Sequence, residues 1–181
     1  MSQKTETSDR EQPSAGTDQG SEIAEYHRIH RHVGHLIRRC RQIAVGIFVD
    51  EMEAFNITSV QYAALRILQL RPGVDQRTLA EMAAIDRSTV GALLERLEVI
   101  GLIKREMPAH NQRIKQAFIT PKGVQLLEDC AEAVERVQER LLAPFEPAER
   151  HMLVHLLEKM ARANNELSRA PARLRPAETK K

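Results

Sequence analysis

The chain has 181 residues, 42% of them hydrophobic, no tryptophan, and a formal charge of only +2. That length accommodates one sizeable domain or two small ones, and abundant Leu, Ala, Glu and Arg beside few aromatics favour helices over an aromatic-rich sheet sandwich. So small a net charge excludes any argument for nucleic-acid binding from bulk electrostatics, and the case must rest on where the cations fall. Cys40 and Cys130 lie far apart with no Cys-x-x-Cys pair, which signals neither a zinc site nor a disulfide framework. The polar N-terminus lacks the apolar core of a signal peptide and no later segment approaches membrane-spanning length, so a reduced, cytoplasmic setting is expected.

Residues 1–21 carry no apolar periodicity and are expected to form a disordered tail. From Glu22 to Met52 apolar residues recur at three- and four-residue steps, through Tyr26, Ile29, Val33, Leu36, Ile37, Cys40, Ile43, Ala44, Ile47 and Phe48, which predicts one long amphipathic helix. Thr58 and Gln61 have the spacing of a capping box and open a second helix that Arg71, Pro72 and Gly73 stop near Leu70. Asp75 can cap a short helix over 76–84, and Asp86 can cap the next, which runs from Arg87 to about Ile100 and ends at Gly101. Two helices joined by a tight turn result.

The runs 102–106 and 114–120 are short and β-compatible, and the polar stretch between them makes a hairpin. Thr120 and Pro121 then supply an N-cap and a first-turn proline for a long helix carrying Val124, Leu127, Ala131, Val134, Val137 and Leu141. Pro144 and Pro147 break it, and a last helix runs from Glu149 to about Leu167. Residues 169–181 set prolines among basic residues and are expected to be a flexible basic tail. The outer helices are too long for a core of about one hundred residues or fewer to consume, so their apolar stripes call for a second copy of the chain.

The segments Leu79-Ala-Glu-Met-Ala83, Ser88-Thr-Val-Gly-Ala-Leu-Leu-Glu-Arg-Leu-Glu98, Gly101-Leu-Ile-Lys-Arg105, Gln112-Arg113 and Ile119-Thr-Pro-Lys-Gly123, in that order and spacing, resemble the MarR family of bacterial regulators. The resemblance runs from about Val33 to Met160. It implies a mainly α fold with a small β-hairpin wing: a winged helix-turn-helix DNA-binding domain over 57–120, and a helical dimerisation region over 22–56 and 121–168. It further implies a homodimer whose two winged domains read a pseudo-palindromic operator in double-stranded DNA. One departure is that Asn111 stands where the family commonly has an Asp two residues before the wing arginine, here Arg113.

The first residues of a recognition helix face base edges in the major groove. Here they are Arg87, Ser88, Thr89, Gly91 and Ala92, with Arg96 two turns on in reach of a phosphate. Gln76, Arg77 and Thr78 open the preceding helix, whose amide end suits a phosphate oxygen. Arg113 in the wing is assigned to the minor groove, Asn111 stands with it among the DNA-binding residues, and Lys104, Arg105 and Lys115 are assigned to the phosphates beside it. The bland readings are that hydroxyl residues support a helix start and that loop cations are simply solvated.

The resemblance also implies an effector, a small aromatic carboxylate or its thioester, bound between the dimerisation helices and the winged domain. On the first helix His32 and Arg39 flank one edge of the apolar stripe and His30 and Arg41 the other, and Tyr62 in the second helix adds a phenolic hydroxyl. These side chains can hold a carboxylate; they can equally snorkel to solvent. Two alternatives stand beside this reading. Cys40, flanked by Arg38, Arg39 and Arg41, can make a redox sensor, although its place mid-stripe predicts an inert, buried thiol. A helical adaptor without DNA binding explains the long helices but neither the Ser88–Thr89 helix start nor the Arg113 hairpin. No catalytic constellation, cofactor loop or metal cluster is evident, His151 and His155 being a pair without a third ligand, and an enzyme is not expected.

Overall fold

The computed structural model describes residues 16–107 and 114–173, and these divide into two compact units on either side of the Ile43–Ala44 bond. In the first unit α1 (Gly16–His30) and the start of α2 (Val33–Glu51) replace the single long helix expected from periodicity. The break is a tight turn in which Arg31 and His32 donate their N–H groups to Arg28 O and Ile29 O, at 3.2 and 3.1 Å. Helix begins at Gly16, inside the segment expected to be disordered; residues 1–15 lie outside the described residues. The predicted apolar stripe is present but uncovered, since Tyr26, Ile29, Val33, Leu36, Ile37 and Ile43 are all exposed.

The second unit has one core. It gathers Phe48 from the end of α2 and Met52 just beyond it, then side chains of α3 (Ser59–Leu70), α4 (Gln76–Ala83), α5 (Arg87–Val99), β2 (Ile103–Glu106), β3 (Gln116–Ile119), α6 (Pro121–Asp129) and α7 (Ala131–Leu142). Leu65, Leu68, Leu79, Val90 and Leu97 are inaccessible to solvent at its centre. The capping box at α3 forms as expected: Thr58 accepts from the Gln61 amide at 3.2 Å while Gln61 Oε1 accepts from the Thr58 amide at 2.8 Å. The helix predicted after Thr120 is divided at Cys130 into α6 and α7. α8 (Pro147–Ala163) starts two residues earlier than expected, with proline in its first turn.

The hairpin pairs Ile103 with Ile119 and Glu106 with Gln116, and it gains a strand that periodicity had no means of showing. β1 is only Val74–Asp75, pairing antiparallel with Ala117 and Gln116, so the sheet order is β1-β3-β2. Two residues give no alternation to read.

Sheet and helices lock at the end of α5. Gly101 takes φ 77°, the left-handed conformation that lets Leu102 N–H return to Leu97 O at 2.9 Å and close the helix. Gly123, in the first turn of α6, lies so close to this turn that a Cβ there would sit 2.3 Å from Leu102 O and 2.7 Å from Ile119 Cγ1. Both contacts are with packed groups, one of them backbone. Gly123→Ala is therefore expected to destabilise by about 1–3 kcal/mol. Gly34→Ala, where a Cβ meets nothing within 4 Å on a helix, is expected to be neutral or stabilising by up to ~1 kcal/mol. Urea denaturation of the two variants separates a steric effect from a generic one.

Candidate nucleic-acid interface

α4 begins with a complete cap. Asp75 Oδ1 accepts from the Thr78 amide at 3.0 Å and Oδ2 from the Thr78 hydroxyl at 2.8 Å. Burial pushes the Asp75 carboxyl up, but these bonds outweigh it and hold the group below the usual aspartate range. Thr78 thus braces the helix start and its hydroxyl is already engaged. α4 is capped by Ala84, a non-glycine residue at φ 52°, and Ile85 donates back to Ala80 O at 3.0 Å, which makes the tight turn into α5.

α5 starts differently from expectation. Asp86 makes no side-chain bond to the helix amides; only its carbonyl serves the helix, accepting from Thr89 and Val90 at 2.9 and 3.1 Å. The first turn therefore carries no side-chain cap and keeps amide donors directed outward. Arg87, Ser88, Thr89 and Ala92 are exposed around that end, and Arg96 is exposed further along. The opposite face, Val90, Leu93, Leu94 and Leu97, is buried. One face is thus committed to the core and the other to solvent. At Gly91 a Cβ would lie 3.3 Å from Gln76 Nε2, so the missing side chain leaves room for the end of the Gln76 side chain. The Gln76 amide in turn donates to Arg87 O at 3.4 Å, across the two helices.

Arg105 is not the free cation that its place in the strand led us to expect. Its guanidinium grips Glu98 Oε2 through Nη2 at 2.5 Å and Nε at 2.8 Å, its own amide donates to Glu98 Oε1 at 3.2 Å, and its side chain is only 15% exposed. The pair fastens β2 to the last turn of α5. Lys104 pairs with Glu106 at 2.6 Å, and Lys115 is exposed. Gln76, Arg77, Arg105 and Lys115 nonetheless converge on one cleft of about 380 Å³ between α4, α5 and the hairpin. Asn111 and Arg113 lie outside the described residues.

The residues expected to meet an effector fall in both units, and each is described within its own. In the first, the His30 ring lies between those of Tyr26 and His35, with centroids 4.0 and 4.5 Å away. Its Nδ1 is 2.9 Å from Tyr26 O. His32 sits in the turn between α1 and α2, and Arg39 and Arg41 are exposed. His35, which sequence reasoning passed over, has its pKa lowered by partial burial and then by the neighbouring His30, Arg38, Arg39 and His32. Cys40 is exposed rather than buried, because the stripe to which it belongs is uncovered. In the second unit Tyr62 packs at the edge of the core, 6.3 Å from the Phe48 ring, and burial raises its phenol pKa. No group of three or more His, Cys, Asp or Glu suited to a metal ion occurs among the described residues.

The profile of the MarR family matches residues 57–115, the stretch from the cap of α3 to the second arm of the hairpin. A putative transcriptional regulatory protein for the hcr operon of Thauera aromatica is 33% identical over 135 residues, which are 75% of this chain and 77% of that one. The chain belongs to the MarR family. As a member of the MarR family it is a DNA-binding transcriptional regulator with a winged helix-turn-helix fold. Solved structures agree. BpsR of Bordetella bronchiseptica, whose DNA binding is regulated by 6-hydroxynicotinic acid, superposes with a TM-score of 0.69 at 30% identity, over 73% of this chain and 94% of that one. The repressor CouR bound to a 23-mer DNA duplex superposes with a TM-score of 0.69 at 25% identity, over 74% and 94%. Among the described residues no helix is long and apolar enough to cross a membrane.

The Glu98–Arg105 pair gives the MarR fold a titratable clasp. Hydrogen bonding from Arg105 holds the Glu98 carboxyl below the usual glutamate range, against the opposing effect of burial. A carboxyl depressed in the folded state contributes stability above its unfolded pKa and loses it as the pH falls through the folded value. Glu98→Gln is therefore expected to flatten the loss of stability between neutral and acidic pH; a urea midpoint that falls as steeply in the variant as in the parent contradicts the clasp.

Proposed function

We propose that two copies of this chain form a repressor that reads a pseudo-palindromic operator and releases it on binding a small aromatic carboxylate or its thioester. The observation that carries the DNA side is the division of α5 into a buried apolar face and an exposed Arg87–Ser88–Thr89 end. Residues 57–120 act as the winged DNA-binding domain. Arg87, Ser88 and Thr89 meet bases or phosphates in the major groove, and Gln76, Arg77, Arg96 and Lys115 meet the backbone. Thr78 and Arg105 brace them from behind, and the small Gly91 permits close approach of the helix backbone to DNA. Arg113, with Asn111, takes the minor groove beside each half-site.

Dimerisation is supported by apolar surface that a single chain leaves in water. α8 buries none of its seventeen residues, with Met152, Val154, Leu156 and Leu157 all exposed, and the stripe on α1 and α2 is equally bare. Covering these faces with a second copy removes the cost of leaving them wet. The dimerisation region accordingly comprises residues 22–56 and 121–168.

The effector class is supported by the relative regulated by 6-hydroxynicotinic acid and by the basic, histidine-bearing start of α2. His30, His32, Arg39 and Arg41 supply cations and hydrogen-bond donors for a carboxylate, and Tyr62 a phenol. A thermal-shift screen of aromatic acids and their thioesters, followed by duplex-release assays, tests it. Stabilisation with release is expected; stabilisation with DNA still bound contradicts the inducer role. On the DNA side Arg96→Ala and Arg113→Ala are each expected to lower the salt slope of operator binding by about one unit. Ser88→Ala is expected to cost about 1–3 kcal/mol against the operator and little against random duplex. Fluorescence anisotropy across a salt series checks these variants, and equal losses on both duplexes contradict base reading by Ser88.

A further inference from the structure

Beyond α8 the chain turns back on itself and is pinned. After one 3-10 turn (Asn165–Leu167) the Asn165 amide clasps Ala172 from both sides, donating to Ala172 O at 3.2 Å and accepting from Ala172 N–H at 2.8 Å. Ala170 N–H donates to Ser168 Oγ at 3.1 Å, and Arg173 pairs with Glu166 at 3.2 Å. The Arg173 amide then reaches across to α4 and donates to Glu81 O at 2.9 Å. A flexible extension was expected from residue 169; residues 168–173 instead carry this set of hydrogen bonds.

The docked segment completes a cleft of about 520 Å³ whose walls include Arg77, Glu81, Arg87, Ser88, Arg169 and Arg173. Four arginines thus surround a space that opens beside the uncapped end of the recognition helix. Arg77 pairs with Glu81 at 3.0 Å and Arg87 stands 3.7 Å from the same carboxylate, while Asp86 adds a second acid to the cleft wall. Arg169 is exposed, with no ion pair or hydrogen bond from its guanidinium among the described residues. Arg173 remains 58% exposed despite its pairing with Glu166. The cleft therefore offers cations in excess of acids at the edge of the DNA-reading surface, held by a backbone already ordered.

We propose that residues 168–173 form a C-terminal arm whose Arg169 and Arg173 bind DNA phosphates flanking the bases read by α5. The inference rests on the DNA-binding reading above and adds a contact from outside the helix-turn-helix and the wing. Phosphate is the fitting partner because the cleft is rich in arginine and borders Arg87 and Ser88. The Asn165 clasp sets the arm before DNA arrives, so binding does not bear the full ordering cost of a loose tail.

The test is a salt series of duplex binding by the full chain, with an operator duplex and a random duplex of equal length. Arg169→Ala/Arg173→Ala is expected to weaken binding to both duplexes by a similar factor, on the order of tenfold or more at low salt, and to lower the salt slope by about two units. Asn165→Ala keeps both arginines but loses the clasp, and is expected to fall between the parent and the double variant. Thermal midpoints within a degree or two of the parent establish that the exposed substitutions leave the fold intact. Parent-like affinity and slope in the double variant overturn the arm, as does tighter binding, which makes the segment a cover over the interface. An Asn165→Ala protein that binds like the parent overturns the preset arm. Failure of the parent itself to bind any duplex overturns the DNA reading and the arm together.

Discussion

The DNA-reading half of this protein depends on how the C-terminal end of α5 is closed. Thr120 does this in three directions: its hydroxyl donates to Gly101 O at 2.8 Å and accepts from the Gly123 amide at 3.2 Å, and its own amide donates to Leu102 O at 3.0 Å. Lys122 adds an ammonium at 2.8 Å from Ile100 O, where a helix C-terminus favours positive charge. One residue thus caps α6, closes α5 and holds the turn between α5 and the hairpin. The missing side chain at Gly123 permits this approach, and the Glu98–Arg105 pair repeats the connection one strand further on. A recognition helix anchored at its far end can present its near end without a cap of its own.

The same economy governs charge. The chain is nearly neutral, yet its acids are not spread evenly among its cations. Glu98 engages Arg105, and Asp50 and Glu51 at the end of α2 engage Arg136 and Arg140 of α7, so several cations are spent on holding elements together. Arg140 bridges both acids, which ties the last turn of α2 to α7 beside the core. Among the described residues Arg96 and Arg169 make no ion pair, and Arg87 is only loosely approached by Glu81. Net charge conveys none of this, because the quantity that matters for a polyanion is which cations remain available.

Much of the second unit was legible in the sequence because its signals are local. The capping box at Thr58 and Gln61, the Asp75 cap, the Thr120–Pro121 start and the glycine after α5 are each set by two to four neighbouring residues, and all form. What escaped was set by distant partners or by very short elements. β1 has two residues and exists only because β3 offers it an edge. Arg105 reads as an unpaired cation in its strand, whereas Glu98, seven residues away on another element, pairs with it. The turn at Arg31–His32 breaks a stripe whose periodicity continues through it, and the docking of residues 168–173 is invisible to composition, which registers only prolines and basic residues. Exposure of Cys40 has a similar origin: a stripe reads as buried when its partner surface lies on another copy of the chain.

On the proposed function the protein is a two-copy reader of double-stranded DNA whose recognition helices are fixed from behind. Hydroxyl-radical footprinting of an operator duplex tests that claim most directly. The expected result is a protection pattern with two-fold symmetry, its two halves centred about 10–10.5 base pairs, or a multiple of that spacing, apart. A single asymmetric patch, or protection without periodicity, contradicts the paired recognition helices.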